Sequence, residues 1–169
     1  MNFSKKILLI FFFILINTNL FANEKIAFVN VDFLFEKSFL GKAISTKLNN
    51  MNLNNEKVLK SQKDEIIKEE NELKKIKNII SENEFNDKLS SLKNKVELYN
   101  QEKDRLYKDF TKTKKSELKN FFEKINPLLQ SYLNEKKIDI LLEKKNVFIG
   151  RSSHDITDEL LEIIDKKFK

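Results

Sequence analysis

The sequence predicts an α+β protein that is mostly helical: a long antiparallel helical hairpin of coiled-coil type, inserted into a small β-body made from the two chain ends. Three observations carry that expectation. From Gly41 to Tyr132 the chain is charged and Asn-rich, with no second Gly and a single Pro, and its apolar residues recur at helical three- and four-residue spacing. This apolar pattern mirrors itself about positions 82–83. Runs of β-branched and aromatic residues occur near the two ends of the mature chain, where short strands would form.

The hairpin comes first because the mirror defines it. On the rising limb Leu59, Ile66, Leu73 and Ile80 fall seven apart, with Ile76 between the last two. On the falling limb Phe85, Leu89, Leu92, Val96, Tyr99, Leu106 and Phe110 resume the rhythm. This is a heptad seam of the kind two helices bury against each other. Ile80 with Phe85, Ile76 with Leu89, Leu73 with Leu92, Ile66 with Tyr99 and Leu59 with Leu106 all share one centre, as a fold-back requires. Residues 81–84 suit the tip: Ser81 and Glu84 have capping-box spacing, and Asn83 tolerates a left-handed backbone. Each arm would span about 40 residues, roughly 60 Å at 1.5 Å per residue. A parallel dimeric coiled coil is the competing arrangement, but it leaves the mirror register without a cause. The same register sets Glu69 against Val96, Gln62 against Lys103 and Asn55 against Phe110, polar interruptions that should loosen the middle of the arm.

Residues 1–22 read as a secretory signal peptide. Lys5 and Lys6 form a positive start, residues 7–16 are unbroken apolar, and the segment closes on Ala22. An uncleaved anchor is the alternative, but ten apolar residues fall short of about 30 Å of hydrocarbon. The expected mature protein is residues 23–169, one domain, with a body at 23–40 and 127–169, an arm at 41–126 and a tip at 81–84. It contains no Cys, so neither a disulfide nor a cysteine-linked lipid can stabilise or anchor it. A long hairpin buries little per residue, so oligomerisation should supply the missing stability.

The net charge of the whole chain is +6, of which the two leader lysines contribute a part. A mild positive charge attracts acidic polypeptides or anionic lipid at long range, although alternating Lys and Glu also describe an ordinary solvated helix face. Arg105 and Arg151 are the only arginines, which disfavours bidentate phosphate recognition and hence nucleic acid.

At the first end, residues 25–31 (Lys-Ile-Ala-Phe-Val-Asn-Val) read as a strand covered on both faces, followed by a short helical turn at 32–36. At the other, residues 138–143 form a second strand, residues 144–146 a turn, and Val147, Phe148 and Ile149 a third strand closed by Gly150. Asp155 or Thr157 then caps a final helix, whose apolar face is Ile156, Leu160, Ile163, Ile164 and Phe168. Pro127 should break or kink the descending arm where it meets the body. Three short strands cannot cover themselves, so a sheet completed by other subunits is expected. Its interface would use Ile26, Phe28, Val29, Val31, Ile140, Leu142, Val147 and Ile149.

No catalytic constellation is present. The single His154 lies beside Ser152, Ser153 and Asp155, but neighbours in sequence rarely face each other as a triad must, and a polar loop before a capped helix explains them. Metal-ligand spacing is absent, and with Gly only at 41 and 150 no phosphate-cradling loop can form. The expectation is a non-enzyme without a cofactor. Off the seam, Val58, Ile67, Ile79 and Leu98 are scattered along the arm. Each offers a weak apolar contact, and many weak contacts suit a changing client.

The two ends carry a resemblance. Residues 25–32 after a signal peptide, residues 137–149, and residues 155–161 (Asp-Ile-Thr-Asp-Glu-Leu-Leu) resemble the first strand, closing strand pair and last helix of the Skp/OmpH family of periplasmic chaperones. Pro127 and the length of the helical insert are similar too. The resemblance implies a periplasmic homotrimer whose three hairpins project as tentacles from a shared β-body, in a jellyfish shape. It implies a holdase that binds unfolded outer-membrane proteins without ATP and prevents their aggregation in transit. A lipopolysaccharide or anionic-lipid contact, proposed for members, would have to be made with only two arginines. The alternative class is a coiled-coil spacer or adaptor of the cell envelope with no client.

Overall fold

A computed structural model describes residues 24–169; the expected signal peptide lies outside the described residues. β1 (Ile26–Val29) ends at Asn30, whose side chain accepts a hydrogen bond from the Phe33 amide at 3.0 Å and so starts α1 (Val31–Lys37). Val31 is thereby the first helical residue, not the last of the strand. At Ser38 the backbone becomes extended, and α2 (Phe39–Ile76) begins with the Ser38 hydroxyl accepting from the Gly41 amide at 3.1 Å. Gly41 is required by close approach: a Cβ there would stand 1.7 Å from the Phe35 carbonyl oxygen. The two helices can meet at this angle only because that atom is missing.

The chain turns through residues 77–81 and returns as α3 (Glu82–Lys136). The tip thus precedes the expected 81–84 by a few residues, and Asn83 is helical. The reason is the cap: the Ser81 hydroxyl accepts from the Glu84 amide at 3.3 Å, which commits residues 82–84 to the first turn. Pro127 also departs from expectation, since α3 runs past it to Lys136. An interior proline forfeits one helical hydrogen bond and costs about 3 kcal/mol in isolation. Here core contacts hold the helix on both sides, through Phe121 and Ile125 before it and Leu128, Leu129 and Leu133 after. α3 stops at Lys137, the only non-glycine with positive φ (53°) among the described residues. Its amide and that of Ile138 return to the Asn134 and Leu133 carbonyls at 3.3 and 2.9 Å, closing the helix in the usual left-handed manner.

β2 (Ile140–Glu143) pairs in parallel with β1, Ile26 opposite Ile140 and Phe28 opposite Leu142. Two short 3-10 turns, Lys144–Asn146 and Ser152–His154, lead to α4 (Thr157–Lys167). The third strand expected at Val147, Phe148 and Ile149 is absent. Within the protomer β1 has no free edge to offer it. β2 occupies one side; on the other, the Ile156 amide donates to the Phe28 carbonyl at 3.0 Å and His154 Nδ1 meets the Ile26 carbonyl at 2.8 Å.

One sheet face, Ala27 and Val29, joins Leu34, Ile44, Phe121, Ile125, Ile138, Ile156, Leu160 and Ile164 in the core. Phe35 meets Phe121 edge-on, with ring centroids 5.1 Å apart. The body therefore takes Ile44 and Leu48 from α2 and Phe121 and Ile125 from α3, residues that lay within the range expected for the arm. α4 buries the apolar face expected of it: Leu160 and Ile164 are fully buried, and Ile163 and Phe168 lie against them. No helix among the described residues is long and apolar enough to cross a membrane.

Candidate functional site

Two surfaces remain available for partners, the arm and the outer face of the sheet. In the arm α2 and α3 fold back on each other. Leu73 and Leu92 are buried near the tip, while Leu59, Ile66, Ile76, Ile80, Phe85, Leu89, Tyr99, Leu106 and Phe110 are half-buried. A two-helix seam can do no more, because each apolar stripe has one neighbour rather than several. Val96 departs from its expected seam position and is exposed. In its place Lys95 reaches across to form an ion pair with Glu69, giving that carboxylate a cation where an apolar partner would have left it unpaired. Gln62 finds no such relief: its Oε1 is shut off from solvent without a hydrogen-bond partner.

Of the scattered apolar residues, Val58, Ile67, Ile79 and Leu98 are all exposed, Ile79 the most at 79%. Leu53, Tyr107 and Phe122 join them on the arm. These side chains stand singly, between charges such as the Arg105 fork, which binds Glu102 and Asp109. The hydrogen bond from Arg105 holds the Glu102 carboxyl below its ordinary range.

The outer sheet face carries Ile26, Phe28, Ile140 and Leu142, since register places them on the side opposite Ala27 and Val29. Phe28 is covered within the protomer, close against Gly150. Ile26, Ile140 and Leu142 are each about two-fifths exposed, and Phe148 and Ile149 beside them are almost entirely so, at 104% and 87%. Val147 is half-buried. The expected interface set is therefore split: Val29 and Val31 turn inward to the protomer core, and the rest face outward or border the outer face. A polar staple fixes the loop behind this face. Lys144 Nζ binds Asp155 Oδ2 at 2.7 Å, and Asp155 Oδ1 accepts from the Thr157 amide at 3.1 Å. The Thr157 hydroxyl accepts from the Asn30 amide at 2.9 Å. Burial alone would raise the Asp155 carboxyl, but its hydrogen bonds from Lys144 and Thr157 outweigh burial and hold it low. Among the described residues no cluster of three or more His, Cys, Asp or Glu could hold a metal ion.

A family model for outer membrane proteins of the OmpH-like type matches residues 25–164. The chain belongs to the OmpH-like family. A crystal structure of an OmpH-like candidate outer membrane chaperone from Caulobacter crescentus CB15 is similar with a TM-score of 0.79, covering 85% of each chain at 18% identity. Likeness at that identity is likeness of fold. No curated protein matches the sequence.

For this OmpH-like chain, sequence reasoning missed Phe148, although it placed both neighbours at an interface. Strand alternation pointed Phe148 to the opposite face, whereas the irregular segment leaves it in solvent. It also missed the Glu69–Lys95 pair, for which the available signal was Lys95 beside the weak seam residue Val96. Leu53 and Tyr107 were visible as apolar residues off the heptad, in the same way as Val58 and Leu98.

Proposed function

We propose that the mature chain is an ATP-independent periplasmic holdase that binds unfolded outer-membrane proteins and prevents their aggregation, with no catalytic activity of its own. The observation that carries this reading is the arm: a projecting two-helix hairpin whose exposed apolar side chains stand mostly singly, among charges. Such a surface grips many sequences weakly, as an unfolded client requires. The exposed apolar face at Ile26, Ile140, Leu142, Phe148 and Ile149 supports assembly through the body, and family membership favours a homotrimer with three arms around a shared space. The mild positive charge speeds capture of acidic clients and weak contact with anionic lipid or lipopolysaccharide.

The test is light scattering during dilution of a urea-denatured outer-membrane β-barrel at low salt. The mature protein should suppress aggregation at near-stoichiometric trimer, without nucleotide. An envelope spacer or adaptor would leave scattering unchanged, and that outcome would replace this reading.

A further inference from the structure

One edge of the arm is built differently from a plain solvated helix pair. On α2, Glu65, Glu69 and Glu72 follow at helical spacing and form an acidic wall, and on α3 Lys88 and Lys95 line the facing side. Between them lie two hollows. One, of about 290 Å³, has Leu73, Ile76 and Leu92 in its lining; the other, of about 210 Å³, has Ile66, Leu98 and Tyr99. The Glu69–Lys95 ion pair crosses between them. Glu65 and Glu72 have no ion-pair partner among the described residues, and Lys88 has only a 4.0 Å contact with Glu84. The groove from Gln62 to Ile76 is roughly 21 Å long at 1.5 Å per residue.

We propose that this groove docks an amphipathic helix of about four turns from a partner protein, its apolar stripe flanked by basic residues toward α2 and acidic residues toward α3. Backbone chemistry selects the helix. Both walls are helices whose N–H and C=O groups are already spent internally, so they offer an extended segment nothing to pair with. A helix arrives with its own backbone satisfied and needs only an apolar stripe and flanking charges. A third helix laid along a two-helix seam also supplies the neighbour that the half-buried Ile66, Ile76 and Tyr99 lack. Parting the exposed Glu69–Lys95 pair opposes docking only weakly, and each member gains an opposite charge from the partner. The Gln62 carbonyl, without a hydrogen bond in the free arm, lies at the end of the groove farther from the tip. This docking is separate from diffuse capture of unfolded clients.

The probe is a fluorescein-labelled synthetic peptide of about four turns, with Leu at i, i+3, i+7 and i+10, lysines on one flank and glutamates on the other. Anisotropy is read against the mature full-length oligomer. Saturable binding is expected, weakened about tenfold when Glu65→Lys and Glu72→Lys are combined, since two favourable pairs become repulsive. A peptide with glutamate on both flanks should then prefer the variant over the wild type. Light scattering with a denatured barrel client should not change in that variant, which separates this site from the holdase reading. Circular dichroism checks that the variant is helical; if it is not, Lys88→Glu and the salt dependence of the wild type replace it, each expected to weaken binding. The proposal is overturned if the peptide does not bind, or if a version carrying two prolines binds as well. It is equally overturned if charge reversal leaves the affinity unchanged, or if binding declines as the protein is concentrated, which would mean that a second copy covers the groove.

Discussion

Gly41 and Lys137 are opposite cases of one backbone problem. At Gly41 the chain uses a glycine because nothing else fits: the Phe35 carbonyl occupies the place of a side chain. Gly41→Ala should lower stability by about 3 kcal/mol or more, the upper range for overpacking, because the clashing atom is backbone and cannot rotate away. Thermal melting followed by circular dichroism would show it. At Lys137 the chain uses a left-handed conformation without a glycine. Relief of that strain is offset in part by a more flexible unfolded chain, so Lys137→Gly should stabilise by about 0.5–1 kcal/mol. A lower melting temperature would contradict this. Asp155 adds a pH dependence. Its folded carboxyl sits below the ordinary value of 3.8. The associated stability is therefore fully present above the unfolded value and is lost as pH falls through the lower folded one. Asp155→Asn should cost about 1 kcal/mol at pH 7, because it removes the charge from the hydrogen bonds with Lys144 and Thr157. In urea melts at pH 7 and pH 3 the deficit should shrink at the lower pH; a deficit that grew would reverse the sign.

At the scale of the helix pair, stability is distributed unevenly along the arm. Leu73 and Leu92 are buried near the tip, the Glu69–Lys95 pair satisfies the next layer, and Gln62 leaves a carbonyl without a partner in the layer beyond. Hydrogen exchange should accordingly be slowest around Leu73 and Leu92 and faster on both helices around Gln62 and Asn55. Uniform protection from Asn55 to Phe110 would rule this gradient out. Gln62→Leu removes the unpaired acceptor and should raise stability by about 1 kcal/mol. An arm that stiffens at this point should also protect a narrower range of client sizes in the scattering assay. Cysteines in place of Ile76 and Leu89 should crosslink within one chain, a disulfide requiring Cα atoms within about 7 Å; crosslinks formed only between subunits would contradict the fold-back.

For the whole molecule, the decisive feature is a sheet finished on one face and unfinished on the other. Phe28 helps close its own protomer, so Phe28→Asp would damage folding and assembly together. Phe148 has no cover at all in the protomer. Phe148→Asp should therefore leave the monomer folded and, in the proposed assembly, shift the sedimentation profile from trimer toward monomer. An unchanged trimer would remove this residue from the interface and weaken the assembly reading. If the proposed trimeric holdase is correct, dissociation should also lose activity, because three arms could enclose a client and one arm could only touch it.

The sequence by itself determined the helices, the fold-back and the presence of strands within residues 25–31 and 138–143, which the structure shortens to Ile26–Val29 and Ile140–Glu143. These rest on local periodicity and on a mirror that a single chain must satisfy. Capping chemistry was legible at Ser81, but not at α4, where neither Asp155 nor Thr157 takes the cap position: it falls to Ile156, without a side-chain cap, and Asp155 binds the Thr157 amide from one residue earlier. Tertiary structure alone decided that α3 passes Pro127 unbroken, because core contacts from Phe121 to Leu133 outweigh one missing hydrogen bond. It alone turned Val29 and Val31 inward and left Val147, Phe148 and Ile149 without a strand partner. Whether a short apolar run pairs depends on which sheet edges remain free, and that is settled by residues more than a hundred positions away, such as Ile156 against Phe28. The candidate surfaces divide along the same line. Exposed apolar residues off the heptad could be read from spacing, whereas the acidic and basic walls became a groove only when α3 was laid against α2.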